Sequence, residues 1–302
     1  MNSDSSSVAR LANAGKRYGA VLALDGVDLD VRRGEVLALL GPNGAGKTTA
    51  ISLLVGLQQP DSGSATLFDA APQSLAARRR IGAMLQATSL PETLTVGELI
   101  ELFRSYYARP RTVADVVALA GVGDLLGRQY AKLSGGQQRR AQFALALCGR
   151  AELLFLDEPT TGLDIDARET MWRAIRRLVG EGCAVVLTTH YLEEAEALAD
   201  RVVVIAHGRV VAAGSVGEIR ARVAQKRIRC VSTLADDAIA SWPDVRSVAR
   251  DGGRIEIVTD AAEAVVRRLL GEDPALGELE VRRAGLAEAF VEITSEVEKE
   301  AA

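Results

Sequence analysis

The sequence predicts an α/β fold with parallel strands, followed by a smaller α+β unit. Three observations carry this. Residues 35–40 (Glu-Val-Leu-Ala-Leu-Leu) form a mostly apolar run that ends in a glycine-rich turn and leads into a helix-like segment. Two more apolar runs, 152–156 and 184–188, alternate with helical patterns, and strands apolar on both faces belong in a covered parallel sheet. After residue 219 the register changes to short strands and helices around Asp251-Gly252-Gly253, a turn signal.

The elements follow in order. Residues 1–7 are polar and read as a disordered tail. Strands are expected at 8–17 and 22–31, the second ending in the turn Arg32-Arg33-Gly34. A helix opens at Thr48 and runs to about residue 54, and Gln59-Pro60-Asp61-Ser62-Gly63 is a dense turn. A strand at 64–68, a basic helical turn at 74–80 and a strand at 81–86 come next. The period then becomes helical. Val96, Leu99, Ile100 and Phe103 share one side of a helix over 95–107, a second helix covers 113–120, and helical sequence continues to Gln129. This marks an inserted helical lobe over roughly 90–145. Beyond it, 168–179 and 192–199 read as helices, and 202–206 with 209–213 form a hairpin around His207-Gly208. His207 receives no role. Residues 220–229, rich in arginine, read as a helix or linker. Strands at 227–232, 254–258 and 279–282 and helices at 261–270 and 286–292 make up the small unit, and the charged end from about 295 reads as frayed.

Composition narrows the function classes. The chain has 302 residues, 48% of them hydrophobic, and a net charge of −4, which argues against bulk nucleic-acid binding. Cys148, Cys183 and Cys230 are too scattered for a disulfide or metal framework. The N-terminus lacks the apolar core of a signal peptide, and no run reaches the roughly 18 apolar residues of a membrane span. The expectation is a cytoplasmic chain whose membrane role, if any, comes through a partner.

The chemistry centres on Gly41-Pro42-Asn43-Gly44-Ala45-Gly46-Lys47-Thr48, which fits G-x-x-x-x-G-K-[ST] between a strand and a helix. Glycines let the backbone turn tightly and aim N–H groups at phosphate oxygens, and the helix start adds the positive end of its dipole. Lys47 is placed to reach the β and γ phosphates and Thr48 to offer its hydroxyl to Mg²⁺. The alternative is a glycine-rich turn with a chance lysine. The strand 153–156 ends in Asp157-Glu158: Asp157 is a Mg²⁺ ligand candidate and Glu158 a candidate to orient or deprotonate water. Leu133-Ser134-Gly135-Gly136-Gln137 ahead of a helix is either an anion-binding nest or an ordinary helix cap. His190, after the strand 184–189, is either a γ-phosphate contact or an incidental end-of-strand residue. Gln86 ends its strand at the entry to the helical lobe, where it can sense Mg²⁺. Tyr18 either stacks on a base or packs half-buried.

In this order the motifs closely resemble the ATP-binding subunit of an ABC transporter, over about residues 8–217. Tyr18 matches the adenine-stacking aromatic position. Residues 41–49, Thr49 included, match the Walker A loop, and Gln86 matches the Q-loop glutamine. Leu133 to Gln137 is the full signature, Leu154 to Glu158 is Walker B with its catalytic glutamate, Gly162-Leu163-Asp164 is the D-loop, and His190 is the switch histidine. The resemblance implies a P-loop NTPase core of ABC ATPase type with a β-rich N-terminal subdomain and an inserted helical lobe, at 8–219. A small α+β C-terminal domain at 220–294 and a charged tail at 295–302 follow. It implies ATP and Mg²⁺ as ligands, with Glu158, His190 and Lys47 catalytic, and Thr48, Gln86 and Asp157 at the metal. Residues 41–49, Tyr18, Gln86, Ser134, Gly135, Gly136, Gln137 and Asp164 are implied nucleotide contacts.

The implied partners are a second copy, or a homologous ATPase subunit, closing head to tail over ATP, and an integral membrane permease docking beside residues 86–107, with no nucleic acid. The chain would then sit on the cytoplasmic face of the membrane. Thr160-Thr161-Gly162-Leu163-Asp164 and the stretch Leu286-Ala287-Glu288-Ala289-Phe290-Val291-Glu292 resemble the drug-resistance and multidrug exporters of the ABC-2 type, whose substrates include drugs, polysaccharides and lipids. The alternative function is a soluble non-transport ABC ATPase acting on ribosomes or DNA. The ribosome type carries two cassettes, and the DNA type carries coiled coils or zinc-binding inserts; this chain shows one cassette and neither insert.

Overall fold

The computed structural model describes all residues except 1–6, 87–88, 222–225, 284 and 302; of residue 283 and residues 296–301 only the backbone is described. The chain divides into two compact units, residues 1–216 with 300–302, and 217–299.

In the larger unit, β1 (Ser7–Tyr18), β2 (Val21–Arg32) and β4 (Ser62–Leu67) form an antiparallel sheet in the order β2-β1-β4. A six-stranded sheet combines β3 (Val36–Leu40), β5 (Ile81–Met84), β6 (Leu153–Asp157), β7 (Ala184–Thr188), β8 (Arg201–Ala206) and β9 (Arg209–Ser215). Its order is β5-β6-β7-β3-β8-β9, parallel except for the β8–β9 hairpin. Every residue of β3, β6 and β7 is buried, as expected of strands covered on both faces.

Two apolar layers hold this unit. On one side Leu11, Leu24 and Leu67 of the small sheet meet Ile51 and Leu54 of α1 (Lys47–Val55) and Leu37, Phe155 and Val186 of the large sheet. On the other side lie α3 (Val96–Arg104), α4 (Val113–Ala120), α5 (Gly135–Ala146) and α6 (Ile165–Gly180). Gly82 of β5 is where α5 comes close: a Cβ there would stand 2.1 Å from the Ala146 carbonyl oxygen. The short α2 (Leu75–Arg78) and α7 (Leu192–Leu198) complete the unit.

Several expectations are corrected. Helical sequence after Ala120 does not continue to Gln129. Gly121 ends α4 in the left-handed region at φ 63°, and only 3-10 turns follow, at Gly123–Leu125 and Tyr130–Lys132. Of the tail expected at 1–7, residues 1–6 lie outside the described residues, and Ser7 already pairs with Arg32. Of the stretch 220–229 read as a helix or linker, residues 220–221 end α8 (Val216–Ala221), 222–225 lie outside the described residues, and Lys226 opens a strand. The end expected to fray from 295 instead continues α11 (Leu286–Ala301).

The smaller unit is a four-stranded antiparallel sheet of β10 (Lys226–Val231), β11 (Val245–Asp251), β12 (Arg254–Thr259) and β13 (Gly277–Arg283), ordered β11-β12-β10-β13. With α9 (Asp236–Ala240) and α10 (Ala262–Glu272) the chain order is β-α-β-β-α-β, the split arrangement of ferredoxin-like domains. Ile228, Cys230, Ile255 and Ile257 alternate onto one sheet face and pack with Ile239, Trp242, Val265 and Leu269. Asp273 staples the unit: it accepts from Ser232 Oγ (2.6 Å), Thr233 N–H (2.7 Å) and Ala275 N–H (3.0 Å), which hold its pKa down at about 2.

Candidate active site

The turn between β3 and α1 builds the site. The helix N-terminus is left open: Gly46 stands at the N-cap with φ 110°, no side chain caps α1, and its first turn holds no acidic residue. By contrast, Thr95, Thr112, Ser134 and Asp164 cap α3, α4, α5 and α6 with side chains. An uncapped, positively polarised helix start is the ready partner of an anion. Gly46 is also sterically required, since a Cβ would meet the Ala23 carbonyl oxygen at 2.5 Å. The Lys47 ammonium folds over the loop, donating to the carbonyls of Gly41 (2.7 Å) and Pro42 (2.9 Å). Burial lowers its pKa, opposed by the nearby charges of Glu158 and Asp157.

Register in the parallel sheet places the carboxylates. Asp157 at the end of β6 lies opposite Thr188 at the end of β7. Asp157 is buried, and Thr188 Oγ1 donates to its Oδ1. Thr48 Oγ1 is 3.5 Å from Asp157 Oδ2. Burial raises the Asp157 pKa, the hydroxyl of Thr188 opposes it, and the neighbouring Glu158 charge adds to the rise. Glu158 holds a left-handed backbone, φ 49°, unusual for a side-chain-bearing residue and a strain of about 1–3 kcal/mol. Its N–H donates to both the carbonyl (3.0 Å) and the hydroxyl (3.1 Å) of Thr188, which fixes that conformation. The carboxylate is thereby turned toward His190, with Glu158 Oε2 3.3 Å from His190 Nδ1 and 3.4 Å from the Thr161 hydroxyl.

These groups line one cleft of about 630 Å³, together with Asn43, Gly44, Ala45, Gly46, Thr49, Gln86, Val21 and Ala23. Gly41 and Pro42 contribute through their carbonyls to Lys47. Tyr18 is 44% exposed at the end of β1, with the Lys16 ammonium 5.8 Å from its ring, and does not itself line the cleft, to which β2 contributes Val21 and Ala23. A second groove of about 740 Å³ gathers Ser134, Gly135, Gly136, Gln137 and Asp164; Gln86 lines both. There the Ser134 hydroxyl accepts the Gln137 N–H, and Gln137 Oε1 accepts from Ser134 N–H and from Arg128. Of the two alternatives for this motif, the single chain displays the helix cap. Gly136 touches the 162–164 turn, where a Cβ would come 2.8 Å from the Gly162 carbonyl oxygen. Asp164 caps α6 by accepting the Ala167 N–H at 2.8 Å.

The residues fit a nucleoside triphosphate with a hard cation. Open N–H groups and Lys47 suit phosphate oxygens, and the Thr48 hydroxyl with the Asp157 carboxylate are the oxygen ligands that Mg²⁺ takes. Sequence reasoning assigned no part in the site to Thr188, to Thr161 or to the β8–β9 turn. That turn braces the phosphate loop: Gly208 N–H donates to the Ala45 carbonyl (3.1 Å) and its own carbonyl accepts from Asp25 (2.9 Å).

Comparison with known proteins agrees with this geometry. The family model described as ABC transporter matches residues 24–161. The daunorubicin resistance ATP-binding protein DrrA3 of Streptomyces coeruleorubidus is 41% identical, over 94% of each chain. The daunorubicin/doxorubicin resistance ATP-binding protein DrrA of Streptomyces peucetius is 42% identical over 71% of this chain and 67% of its own. The Nod factor export ATP-binding protein I of Burkholderia orbicola is 41% identical over 67% and 69%. Among solved structures, an ATP-binding subunit of an ABC transporter superposes with TM-score 0.64 at 28% identity, covering 71% of this chain and 92% of that one. The dimeric bacterial cassette MJ0796 gives 0.63 at 26%, covering 68% and 98%. An uncapped phosphate loop facing a strand-end Asp-Glu pair, on this sheet and with these relatives, places the chain in the ABC transporter family, as one of its ATP-hydrolysing, ATP-binding subunits.

Proposed function

We propose that this subunit powers export of a drug-like compound through a separate integral membrane permease, working as an ATP-closed pair of identical chains. The convergence of Lys47, Thr48, Asp157, Glu158 and His190 on one cleft carries the hydrolytic part. Lys47 and the N–H groups of the loop hold the β and γ phosphates, with Thr49 and Asn43 beside them. Thr48 and Asp157 would hold Mg²⁺, and Gln86, on the wall shared with the second groove, would be placed to sense it. When bound, Mg²⁺ neutralises charge that develops on the phosphoryl oxygens. Glu158 orients a water and takes its proton, while His190 and Thr161 keep the carboxylate aimed. Tyr18 stacks on the adenine.

One chain holds the phosphate loop and Ser134-Gly135-Gly136 in two different grooves. A second copy therefore supplies the signature face to each nucleotide. The solved MJ0796 cassette is described as a dimer, and a post-hydrolysis form holds ADP and phosphate. The second groove, with Gln137 and Asp164 at its edge, is the face offered to that copy. Among the described residues no helix is long and apolar enough to cross a membrane, so the route for cargo lies in the permease, docked beside residues 86–107 at the cytoplasmic face; within that segment Ala87 and Thr88 lie outside the described residues. The drug-resistance branch is favoured because DrrA3 matches through the C-terminal unit, whereas the Nod factor exporter matches over two thirds of the chain. The comparisons give no support to the ribosome or DNA alternative, and we infer that nucleic acid is not a partner.

The test is purification from native membranes of the Glu158→Gln chain with ATP present, followed by mass spectrometry. A stoichiometric polytopic protein supports the proposal. Retention of ribosomes or DNA-bound proteins in its place overturns it.

A further inference from the structure

The small unit leaves one edge of its sheet bare. β11 forms one edge: its Val245 and Val248 pack on the core, and Arg250 ties it to Asp236 of α9 and to the carbonyls of Ser232 and Leu234. β13 forms the other edge and is exposed at every position from Glu278 to Arg282. It pairs only with β10, and among the described residues no further backbone hydrogen bond reaches Gly277–Arg283. Leu279 and Val281 are 37% and 47% exposed. Val281 lies opposite Ile228, which is buried in the small core, so it stands on the helix-covered face of the sheet at a margin the helices leave open. Leu279, two residues earlier, follows on the same face by alternation. An unpaired edge that also carries apolar side chains is a template for another strand, and soluble proteins ordinarily block such edges.

The order of charges along β13 selects the partner. Glu278 and Glu280 come first and Arg282 follows. A second copy that pairs antiparallel, about a two-fold axis perpendicular to the sheet, keeps both core faces on one side, so odd residues meet odd and even meet even. Centring the pair on Leu279 sets Glu278 against Glu280. Centring it on Glu280 or on Arg282 sets that residue against itself, and like charges directly opposite one another are destabilising. Centring it on Val281 sets Val281 against its own copy and Glu280 against Arg282 on each side of the axis, with no like charges opposed. Glu280 already holds Arg282 of its own strand at 2.7 Å, so the four groups close a ring of alternating charge. We propose that β13 is a self-pairing edge, through which two copies of this chain join their small units into one continuous antiparallel sheet centred on Val281, without nucleotide. One strand pair is smaller than a standard stable interface, so the joint is weak. Its use is to keep two ATPase units at high local concentration between closures, and that use, unlike the joint itself, rests on the ATP-closed pair proposed above.

The test uses the full chain in nucleotide-free buffer at low salt, where ATP cannot bridge two copies, with mass followed by sedimentation equilibrium over a concentration series. The parent should show a monomer–dimer equilibrium. Glu280→Arg and Arg282→Glu each set like charges opposite one another and should each weaken the dimer about tenfold or more. Mixed in equal amounts, the two variants should restore it, because each strand then supplies the charge the other lacks. Both side chains are exposed, so the fold is kept, and thermal unfolding checks this. A parent that stays monomeric throughout the series, or a mixture that associates no better than its components, overturns the proposal. The register is tested with Val281→Cys and a short bismaleimide, since Cys148, Cys183 and Cys230 are buried. Rapid linkage of two copies at 281 supports the pairing; no linkage there, or linkage as fast from Ala249→Cys on β11, overturns it. None of these outcomes bears on the assignment of Glu158, which ATP turnover decides separately.

Discussion

Replacing Thr188 with Val tests the strand-end arrangement at nearly constant side-chain volume. The hydroxyl does two things: it donates to Asp157 Oδ1 and accepts the Glu158 N–H at 3.1 Å. The second loss is mild, because that N–H keeps the Thr188 carbonyl at 3.0 Å. The first is a hydrogen bond to a buried carboxyl group, worth about 1.5–3 kcal/mol when that group is charged. A total near 2 kcal/mol follows, which for a unit of this size lowers Tm by roughly 4–8 °C. Function should suffer in a specific way. Asp157 already has its pKa raised by burial, and the hydroxyl is what opposes the rise. Without it the carboxyl holds its proton to higher pH, so protons compete better with Mg²⁺. The Mg²⁺ concentration for half-maximal ATPase activity should increase about tenfold, the usual scale for a lost outer-sphere partner, and more at pH 6 than at pH 8. The assay is ATP hydrolysis against Mg²⁺ at both pH values, with thermal unfolding alongside. Thr188→Ser, which keeps the hydroxyl, should retain the parent's Mg²⁺ dependence. A Thr188→Val chain with parent-like Tm and Mg²⁺ dependence would refute the reasoning.

Two further predictions follow from the loop and from the sheet edge. Gly46→Ala places a Cβ 2.5 Å from the Ala23 carbonyl oxygen at a left-handed φ of 110°; the loop must open, and ATP affinity measured with a fluorescent analogue should fall by about tenfold or more, whereas unchanged affinity would show that the loop tolerates the shift. Glu152 is paired with Arg80 (2.6 Å) and Arg33 (2.8 Å), mainly the former, and its pKa is held down to about 2. A depressed carboxylate stabilises the fold above its unfolded pKa, and that stability is lost as pH falls from about 4.5 toward 2. Glu152→Gln should therefore flatten the urea midpoint against pH in that window; a profile as steep as the parent's would assign the acid loss elsewhere. The effect is modest, since the pair is partly exposed to solvent.

Much of this was legible in the sequence, and the physical reason differs from element to element. β3, β6 and β7 are buried at every position, so their apolar runs announce them without alternation. The glycine and lysine of the phosphate loop are readable because their spacing is itself the requirement. β11 was not legible: it is an edge strand in which only Val245 and Val248 pack on the small core. α9 has five residues, too few for a helical period. Thr188 was invisible because its importance is set by sheet register, which brings it opposite Asp157 across 31 residues of chain. Glu194 reads in the sequence as one acid in Glu193-Glu194-Ala195-Glu196, three of a kind, and only packing separates the buried one from its neighbours. The helix over-extended to Gln129 ignored Gly121, Gly123 and Gly127, which interrupt it.

The most direct test of the central claim is steady-state ATP hydrolysis by the purified chain, with the mass of the ATP-bound species followed in the same samples, for the parent and for Glu158→Gln. The geometry predicts Mg²⁺-dependent turnover by the parent. It predicts a loss of about a hundredfold to ten-thousandfold in the variant, the range for a positioned general base, with ATP retained and the chain running as a dimer. Parent-like turnover by Glu158→Gln, or a monomer that holds ATP without pairing, would contradict it.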